Sequence, residues 1–203
     1  MQSKKFSIIT VSLNTLKDFK KTIYSINSQT YKNFEIIVID GGSTDGTKEE
    51  INNNKNNFSN YLIEKDHGIY DAMNKGINFT TSEWTIFLNA GDIFFDKNVL
   101  AQINSLDTSC IDIIYGKTII NNQNVTYSDN PKKVDRNFIL MPFCHQSSFV
   151  KTELIKKKFD TKYKVSSDFN FFLNCFKDQK KFCYIDKYLS RIKGGGLSDL
   201  SRQ

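Results

Sequence analysis

The chain has 203 residues, and 39% of them are hydrophobic, so it can bury the core of one domain of ordinary size. We therefore expect a single domain over residues 1–203. Its four cysteines form no C-x-x-C pair and have no matching histidine cluster, which argues against a zinc site or a disulfide framework. The apolar run from Phe6 to Val11 is too short for a signal peptide core or a membrane span, so we expect a cytoplasmic protein.

The formal charge of +6 is distributed unevenly. Residues 1–130 carry 12 basic and 15 acidic side chains, a net charge of −3, and residues 131–203 carry 16 basic and 7 acidic ones, a net charge of +9. The densest basic run contains Lys156, Lys157, Lys158, Lys162 and Lys164. Such a run is most often a solvated face, but it also suits an anionic membrane surface, a phosphorylated acceptor or nucleic acid. We expect no nucleic-acid partner, because a nucleic-acid groove needs more interleaved aromatic residues than Phe159 and Tyr163.

Strand and helix patterns alternate through the first half of the chain. They predict strands at 6–12, 34–39, 61–63 and 84–88, and helices at 16–29, 47–57 and 69–79. Thr15 and Asp18 have the spacing of a capping box at the start of the first helix. This order predicts an α/β, Rossmann-like fold with a mainly parallel central sheet flanked by helices.

The second half of the chain is less regular. Strands at 111–120 and 125–127 flank a run of Asn and Gln residues, which is typical of a hairpin, and a helix is predicted at 166–176. We find no internal repeat that would indicate a further domain.

Polar residues follow three of the predicted parallel strands. Asp40 ends the second strand, Asp66 follows the third, and Asn89 to Asp92 follow the fourth. In parallel sheets ligands bind at the carboxyl ends of the strands, so we expect these side chains to lie at one site.

The glycine-rich loop after Asp40 matches no common phosphate-binding motif. No Gly-Lys-Ser/Thr follows it, and it lacks the G-x-G-x-x-G of dinucleotide folds. A tight turn would explain Asp40 and its glycines, and hydrogen bonding to a base or ribose would also explain them. Likewise Asp92 is compatible with a plain turn or with Mg²⁺ or Mn²⁺ bound to a diphosphate. Asp66 and Asp71 are compatible with simple stabilisation of a helix N-terminus.

Four segments together resemble the inverting family-2 glycosyltransferases of GT-A fold, especially the small bacterial members that assemble polysaccharides. The segments are SIITVSLN at 7–14, IDGGSTDGT at 39–47, EKDHGIYDAMNKG at 64–76 and FLNAGD at 87–92. They occur in the order found in that family and lie within the first half of the chain. The resemblance implies a nucleotide-sugar-binding half at 1–130 and a smaller acceptor-side half at 131–203.

The resemblance also implies roles for individual residues on the donor side. Four would line the nucleoside pocket, namely Thr10, Ser12, Asp40 and Asp71. Asn89 and Asp92 would lie at the family's D-x-D site, with Asn89 binding the nucleotide and Asp92 acting as the ligand of a Mg²⁺ or Mn²⁺ cofactor. This sequence has Asn89 and Gly91 where many relatives have carboxylates, so its dependence on metal is an open point.

Two segments of the second half resemble the acceptor side of the same family. They are HQSSF at 145–149 and SSDF at 166–169. The resemblance implies that Asp168 is the catalytic base and that His145 contacts the acceptor or the metal. Helix capping would also explain Asp168, and partial burial with a hydrogen-bond partner would also explain His145. The glycines at 194–196 resemble a loop that closes over the donor phosphates, although a simple tail would look the same.

The resemblance as a whole implies an inverting glycosyltransferase of surface polysaccharide assembly. It would move a sugar from a nucleotide diphosphate sugar, by default a UDP-sugar, to a hydroxyl of a glycan or polyprenyl-linked acceptor. We expect it in the cytoplasm, bound peripherally at the inner face of the membrane. The alternative is a catalytically inactive nucleotide-sugar-binding or scaffold domain. A nucleotidyltransferase is disfavoured, because no Gly-rich loop with Arg or Lys follows the first strand.

Overall fold

The structure is a computed structural model, and it describes residues 5–122, 125–131, 133–134 and 141–194. The strands are β1 (Phe6–Ser12), β2 (Phe34–Asp40), β3 (Asn60–Ile63), β4 (Trp84–Phe87), β5 (Ile93–Phe94), β6 (Ile113–Asn122), β7 (Val125–Asp129), β8 (Ser148–Lys151) and β9 (Phe182–Lys193). The helices are α1 (Leu16–Asn27), α2 (Thr47–Asn53), α3 (Ile69–Ile77), α4 (Val99–Asn104), α5 (Thr152–Ile155) and α6 (Ser167–Lys177). Short 3-10 turns lie at Lys55–Asn57 and His145–Ser147.

The strands form one sheet in the order β3-β2-β1-β4-β8-β6-β9-β5, with β7 paired to β6. The four strands from β3 to β4 are parallel, which confirms the predicted alternation of strand and helix. Beyond β4 the sheet becomes mixed, because β8 runs antiparallel to both β4 and β6. The second half of the chain therefore extends the sheet begun by the first half.

Both faces of the sheet are covered. Successive strand residues point to opposite faces, so β1 sends Ile8 to one core cluster and Ile9 to the other. Helices α3 and α6 cover the face of Ile9, and α1 and α4 cover the face of Ile8. Parallel strands buried on both faces are rich in apolar residues, and β1 and β2 are buried along almost their whole length.

The predicted capping box at the start of α1 is wrong. Thr15 makes no side-chain capping bond, and its hydroxyl bonds that of Ser12 at 2.8 Å instead. The N–H of Leu16 donates to Asp45 Oδ2 at 2.9 Å, so a carboxylate from the glycine-rich loop satisfies the helix terminus. Asp18 instead forms an ion pair with Lys193 at 2.7 Å.

Two further segments differ from the sequence-based expectations. Helix α2 ends at Asn53 rather than at residue 57, and a 3-10 turn takes up the remainder of the Asn-rich stretch. The long strand β9 was not predicted, because its exposed charged residues interrupt the apolar pattern. It pairs in parallel with β6 and ends beside the predicted metal site.

In the part of the chain that the structure describes, no helix combines the length and the apolar character needed to cross a bilayer.

Candidate active site

Three of the predicted donor-side segments meet at the carboxyl ends of the parallel strands. Ser12 and Asp40 are register partners on β1 and β2, and the N–H of Gly41 donates to the carbonyl of Ser12 at 2.9 Å. On the other side of β1, the N–H of Ala90 donates to the carbonyl of Val11 at 3.0 Å. The topology thus brings the loops after β1, β2 and β4 to one edge of the sheet.

Asp40 organises the glycine-rich loop. The residue is fully buried, and its Oδ1 accepts hydrogen bonds from the N–H groups of Gly42 at 3.1 Å and Ser43 at 2.7 Å. Its Oδ2 accepts from the Ser43 hydroxyl at 2.6 Å. The carboxylate therefore fixes the turn, and a contact between Asp40 and a nucleoside remains a prediction.

The other predicted nucleoside-pocket residues lie near this edge of the sheet. Thr10 is buried, and its Oγ1 has no hydrogen-bond partner. Asp71 lies in the first turn of α3, where its Oδ2 accepts from the N–H of His67 at 3.0 Å. That bond, together with the nearby Lys75 ammonium, lowers the pKa of Asp71. Asp71 is thus an ionised residue that orders the loop entering α3.

Asp92 is held in a buried turn after β4. The hydroxyl of Thr22 donates to the carbonyl of Asp92 at 2.7 Å and accepts from the N–H of Gly91 at 2.9 Å, so α1 anchors the turn. The N–H of Lys193, at the end of β9, donates to Asp92 Oδ1 at 3.1 Å. Burial raises the pKa of Asp92 to about 7, although this N–H and the attraction of His145 oppose the shift.

Two residues that interact with Asp92 each have a buried atom without a hydrogen-bond partner. Asn89, whose carbonyl accepts the N–H of Asp92, has Oδ1, and His145, which attracts the Asp92 carboxylate, has Nε2. Buried polar atoms rarely stay unpaired, and both atoms are of types that can ligate a divalent cation. Among the described residues, no three His, Cys, Asp or Glu side chains converge as a metal cluster. Asp92, Asn89 and His145 are therefore the described residues that could hold such an ion.

Asp168 lies in the first turn of α6 and has a partner on each carboxylate oxygen. Tyr70 of α3 donates its hydroxyl to Oδ1 at 2.8 Å. His145 lies 2.8 Å from Oδ2 through Nδ1, and since an ionised carboxylate can only accept, we assign the proton to Nδ1. The structure thus brings together two residues that lie 23 positions apart and were predicted separately.

The electrostatics of Asp168 favour its ionised form. Burial alone would raise its pKa, but the hydrogen bond and attraction of His145 and the bond from Tyr70 outweigh burial and lower the pKa to about 2. His145 also interacts electrostatically with Asp92. The same imidazole thus attracts both the predicted base and the predicted metal ligand.

Sequence reasoning assigned no role to Tyr70 or Lys193. Tyr70 lies inside the segment 64–76, and its helical spacing alone would make it a core residue. Lys193 precedes the predicted closing loop, of which only Gly194 belongs to the described residues. The contacts of Tyr70 with Asp168 and of Lys193 with Asp92 leave no local signal in the sequence. Each joins two elements that are far apart in the chain, α3 with α6 and β9 with the turn after β4.

Comparisons with known proteins agree with this geometry. A family model described as glycosyl transferase family 2 matches residues 7–181. A PGL/p-HBAD biosynthesis glycosyltransferase of Mycobacterium bovis is 31% identical over 211 residues, covering 98% of this chain and 81% of the relative. The chain belongs to glycosyl transferase family 2. It is a glycosyltransferase, as the resemblance implied.

Solved structures confirm the GT-A fold of this glycosyltransferase. Residues 1–349 of Staphylococcus aureus TarS in complex with UDP-GlcNAc superpose with a TM-score of 0.79 at 20% identity, over 98% of this chain and 61% of that one. A Pyrobaculum calidifontis mannosyltransferase with GDP-Man and Mn²⁺ gives 0.71 at 15% identity, over 93% and 56%. The chain therefore spans about 60% of the length of these solved chains, and at this identity the likeness concerns the fold.

Proposed function

We propose that this glycosyltransferase moves a sugar from a UDP-sugar to a hydroxyl of a glycan or polyprenyl-linked acceptor, with inversion at the anomeric carbon. The observation that carries the proposal is the carboxylate of Asp168. It is ionised and held by hydrogen bonds from Tyr70 and His145. A base on the acceptor side and a carboxylate on the leaving-group side are the two groups that such a displacement requires.

Asp168 acts as the general base in this proposal. The acceptor oxygen forms the new bond to the anomeric carbon, the bond from that carbon to the diphosphate breaks, and the hydroxyl proton passes to Asp168. A carboxylate of low pKa is a weak base toward a free alcohol, so the proton leaves as the oxygen attacks and becomes acidic. Bases positioned in this way typically contribute about 10²- to 10⁴-fold in rate.

Asp92 would hold the Mg²⁺ or Mn²⁺ cofactor in this proposal. When bound, the ion would act as a Lewis acid that stabilises the negative charge on the departing nucleoside diphosphate. Asn89 Oδ1 and His145 Nε2 support the assignment as buried atoms without hydrogen-bond partners, since the Asn89 carbonyl accepts the N–H of Asp92 and His145 attracts the Asp92 carboxylate. The Mn²⁺ in the mannosyltransferase complex supports it by analogy.

The nucleoside pocket in this proposal is lined by Thr10, Ser12, Asp40, Asp71 and Asn89. The loops that carry them converge at the carboxyl edge of the parallel strands, where α/β folds bind nucleotides. UDP is the proposed nucleotide because the TarS structures were obtained with UDP and UDP-GlcNAc.

The acceptor side faces an anionic membrane in this proposal, with the protein on the cytoplasmic surface. Five exposed lysines precede α6 and its Asp168, namely Lys156, Lys157, Lys158, Lys162 and Lys164. Basic clusters of this kind are attracted to anionic lipid. A polyprenyl-linked acceptor would be presented at that surface.

The experiment begins with the donor. Calorimetry against UDP, dTDP and GDP, each with and without Mn²⁺, identifies the nucleotide, and release of nucleotide from the matching sugar nucleotides identifies the sugar. Water serves as the acceptor in this assay. Asp168→Asn keeps the shape of the side chain but removes the basic oxygen, so nucleotide release should fall roughly 10²-fold or more with unchanged nucleotide affinity.

The sparse protein ligands around Asp92 favour a second candidate, an inactive nucleotide-sugar-binding module. That candidate predicts nucleotide binding without release from any sugar nucleotide. Release by the wild-type protein that is lost in Asp168→Asn would exclude it. Equal release by both proteins would instead remove Asp168 as the base.

A further inference from the structure

We infer that Tyr70 is a positioning residue, whose hydroxyl orients the carboxylate of the catalytic base Asp168 from the donor side of the active site. The inference rests on the proposed function, in which Asp168 is the base. It assigns to helix α3 a part in acceptor activation besides its place at the donor edge.

The hydrogen bond from Tyr70 can have only one direction. Desolvation and the negative charge of Asp168 raise the pKa of the Tyr70 phenol far above its usual range, so the hydroxyl keeps its proton at every physiological pH. The Asp168 carboxylate is ionised over the same range. Tyr70 therefore always donates, and Asp168 Oδ1 always accepts.

The ring of Tyr70 is rigidly placed. The residue is 8% exposed, and its ring centroid lies 5.4 Å from that of Phe159. Phe159 in turn packs against Phe171 of α6 at 5.6 Å. The hydroxyl thus reaches Asp168 from a packed aromatic cluster that also contains the helix carrying the base.

The two donors hold the carboxylate from different elements. His145 bonds Oδ2 from the 3-10 turn before β8, and Tyr70 bonds Oδ1 from α3. With one donor on each oxygen, rotation about the bond to the carboxyl group breaks at least one hydrogen bond. The lone pairs that remain therefore point in a fixed direction, as proton abstraction from a hydroxyl requires.

Helix α3 connects this arrangement to the donor loop. Asp66, just before α3, lies against Gly41, and Asp71 accepts the N–H of His67 at the helix entrance. Tyr70 lies between Asp66 and Asp71 in the sequence, in the first turn of α3. A shift of α3 on donor binding would therefore move the hydroxyl that orients the base.

Tyr70→Phe tests the inference, because it removes the hydroxyl and keeps the packing of the ring. We expect kcat for nucleotide release from the sugar nucleotide to fall about 10-fold, with unchanged KM and nucleotide affinity, since orientation of the base matters only in the transition state.

The matched control is Tyr115→Phe. Tyr115 is also a buried tyrosine, and its hydroxyl accepts the N–H of Val134 at 2.9 Å. Tyr115→Phe should change thermal stability without moving kcat. Equal losses of kcat in both variants would reduce the role of Tyr70 to packing and overturn the inference.

A second measurement covers the case in which Tyr70→Phe folds poorly. Fluorotyrosine at position 70 keeps the hydroxyl that donates to Asp168, so kcat should stay near the wild-type value. A loss of kcat of roughly 10-fold in this variant would overturn the inference. If Tyr70→Phe retains wild-type kcat while Asp168→Asn is inactive, the inference fails and the proposed function stands. If both variants retain wild-type kcat, the assignment of Asp168 as the base fails as well.

Discussion

A carboxylate oxygen of Asp66 lies against the α-carbon of Gly41, so that a β-carbon at position 41 would meet it at less than 3.0 Å. Asp66 is held there because its other oxygen accepts the N–H of Gly68 at 2.9 Å. Glycine is therefore required at position 41 by a side chain 25 residues further along the chain. Its backbone conformation does not require glycine, because its φ is not in the left-handed region.

Gly41→Ala should displace Asp66 and disturb the donor edge. We expect the free energy of unfolding to fall by about 1–3 kcal/mol, as overpacking typically causes, and nucleotide affinity to fall with it. Denaturant unfolding and calorimetry measure the two effects. In the double variant Gly41→Ala/Asp66→Ala the overlap is gone, so stability should partly recover. Strictly additive losses would contradict the contact.

Asp92→Asn should stabilise the protein at alkaline pH while removing its response to metal. The pKa of Asp92 is raised to about 7, so the native state holds a proton that the unfolded state releases near pH 3.8. The wild-type protein therefore loses stability as the pH rises through 7, because the buried carboxyl group of Asp92 must then ionise. The side-chain amide of Asp92→Asn does not ionise, so the variant has no such loss. At pH 8 the variant should be more stable by at least about 1 kcal/mol.

The Asp92→Asn variant should also show no stimulation of nucleotide release by Mn²⁺ or Mg²⁺. A fully retained metal response would place the ion elsewhere. Wild-type activity in the presence of a chelator would show that no ion is needed.

Asp168→Asn should lower stability at neutral pH, with an effect that disappears in acid. The pKa of Asp168 is about 2 in the folded protein, below its ordinary value of 3.8, so the ionised group stabilises the native state above about pH 4. That contribution is roughly 2 kcal/mol and is lost as pH falls from 4 toward 2. Urea unfolding of both proteins at pH 7 and pH 2.5 measures it. A constant difference would show that the low pKa is wrong.

The lysines before α6 should direct the protein to anionic membranes. We expect Lys156→Glu/Lys162→Glu/Lys164→Glu to abolish sedimentation with phosphatidylglycerol vesicles at low salt, because each lysine near the surface is worth about 1 kcal/mol. The control is Lys17→Glu/Lys48→Glu/Lys55→Glu, which changes the charge equally at exposed sites in the other half. Equal losses in both triple variants would indicate a response to net charge rather than to this surface.

Much of the fold followed from local patterns. The apolar, β-branched runs at β1 and β2 and the helical spacing of Phe19 and Ile26 in α1 placed these elements correctly. Such signals are local because side-chain periodicity is a property of one element. The family, and with it the catalytic activity, was likewise indicated by the four segments at 7–14, 39–47, 64–76 and 87–92.

The sequence by itself thus determined the fold class, the family and the chain positions at which polar side chains follow strands. Tertiary structure alone decided how these side chains are used. Asp45 rather than Thr15 satisfies the N-terminus of α1, and Tyr70 meets Asp168 across 98 positions. These contacts join elements distant in the chain, and their geometry depends on how strands and helices pack, which periodicity within one element does not encode.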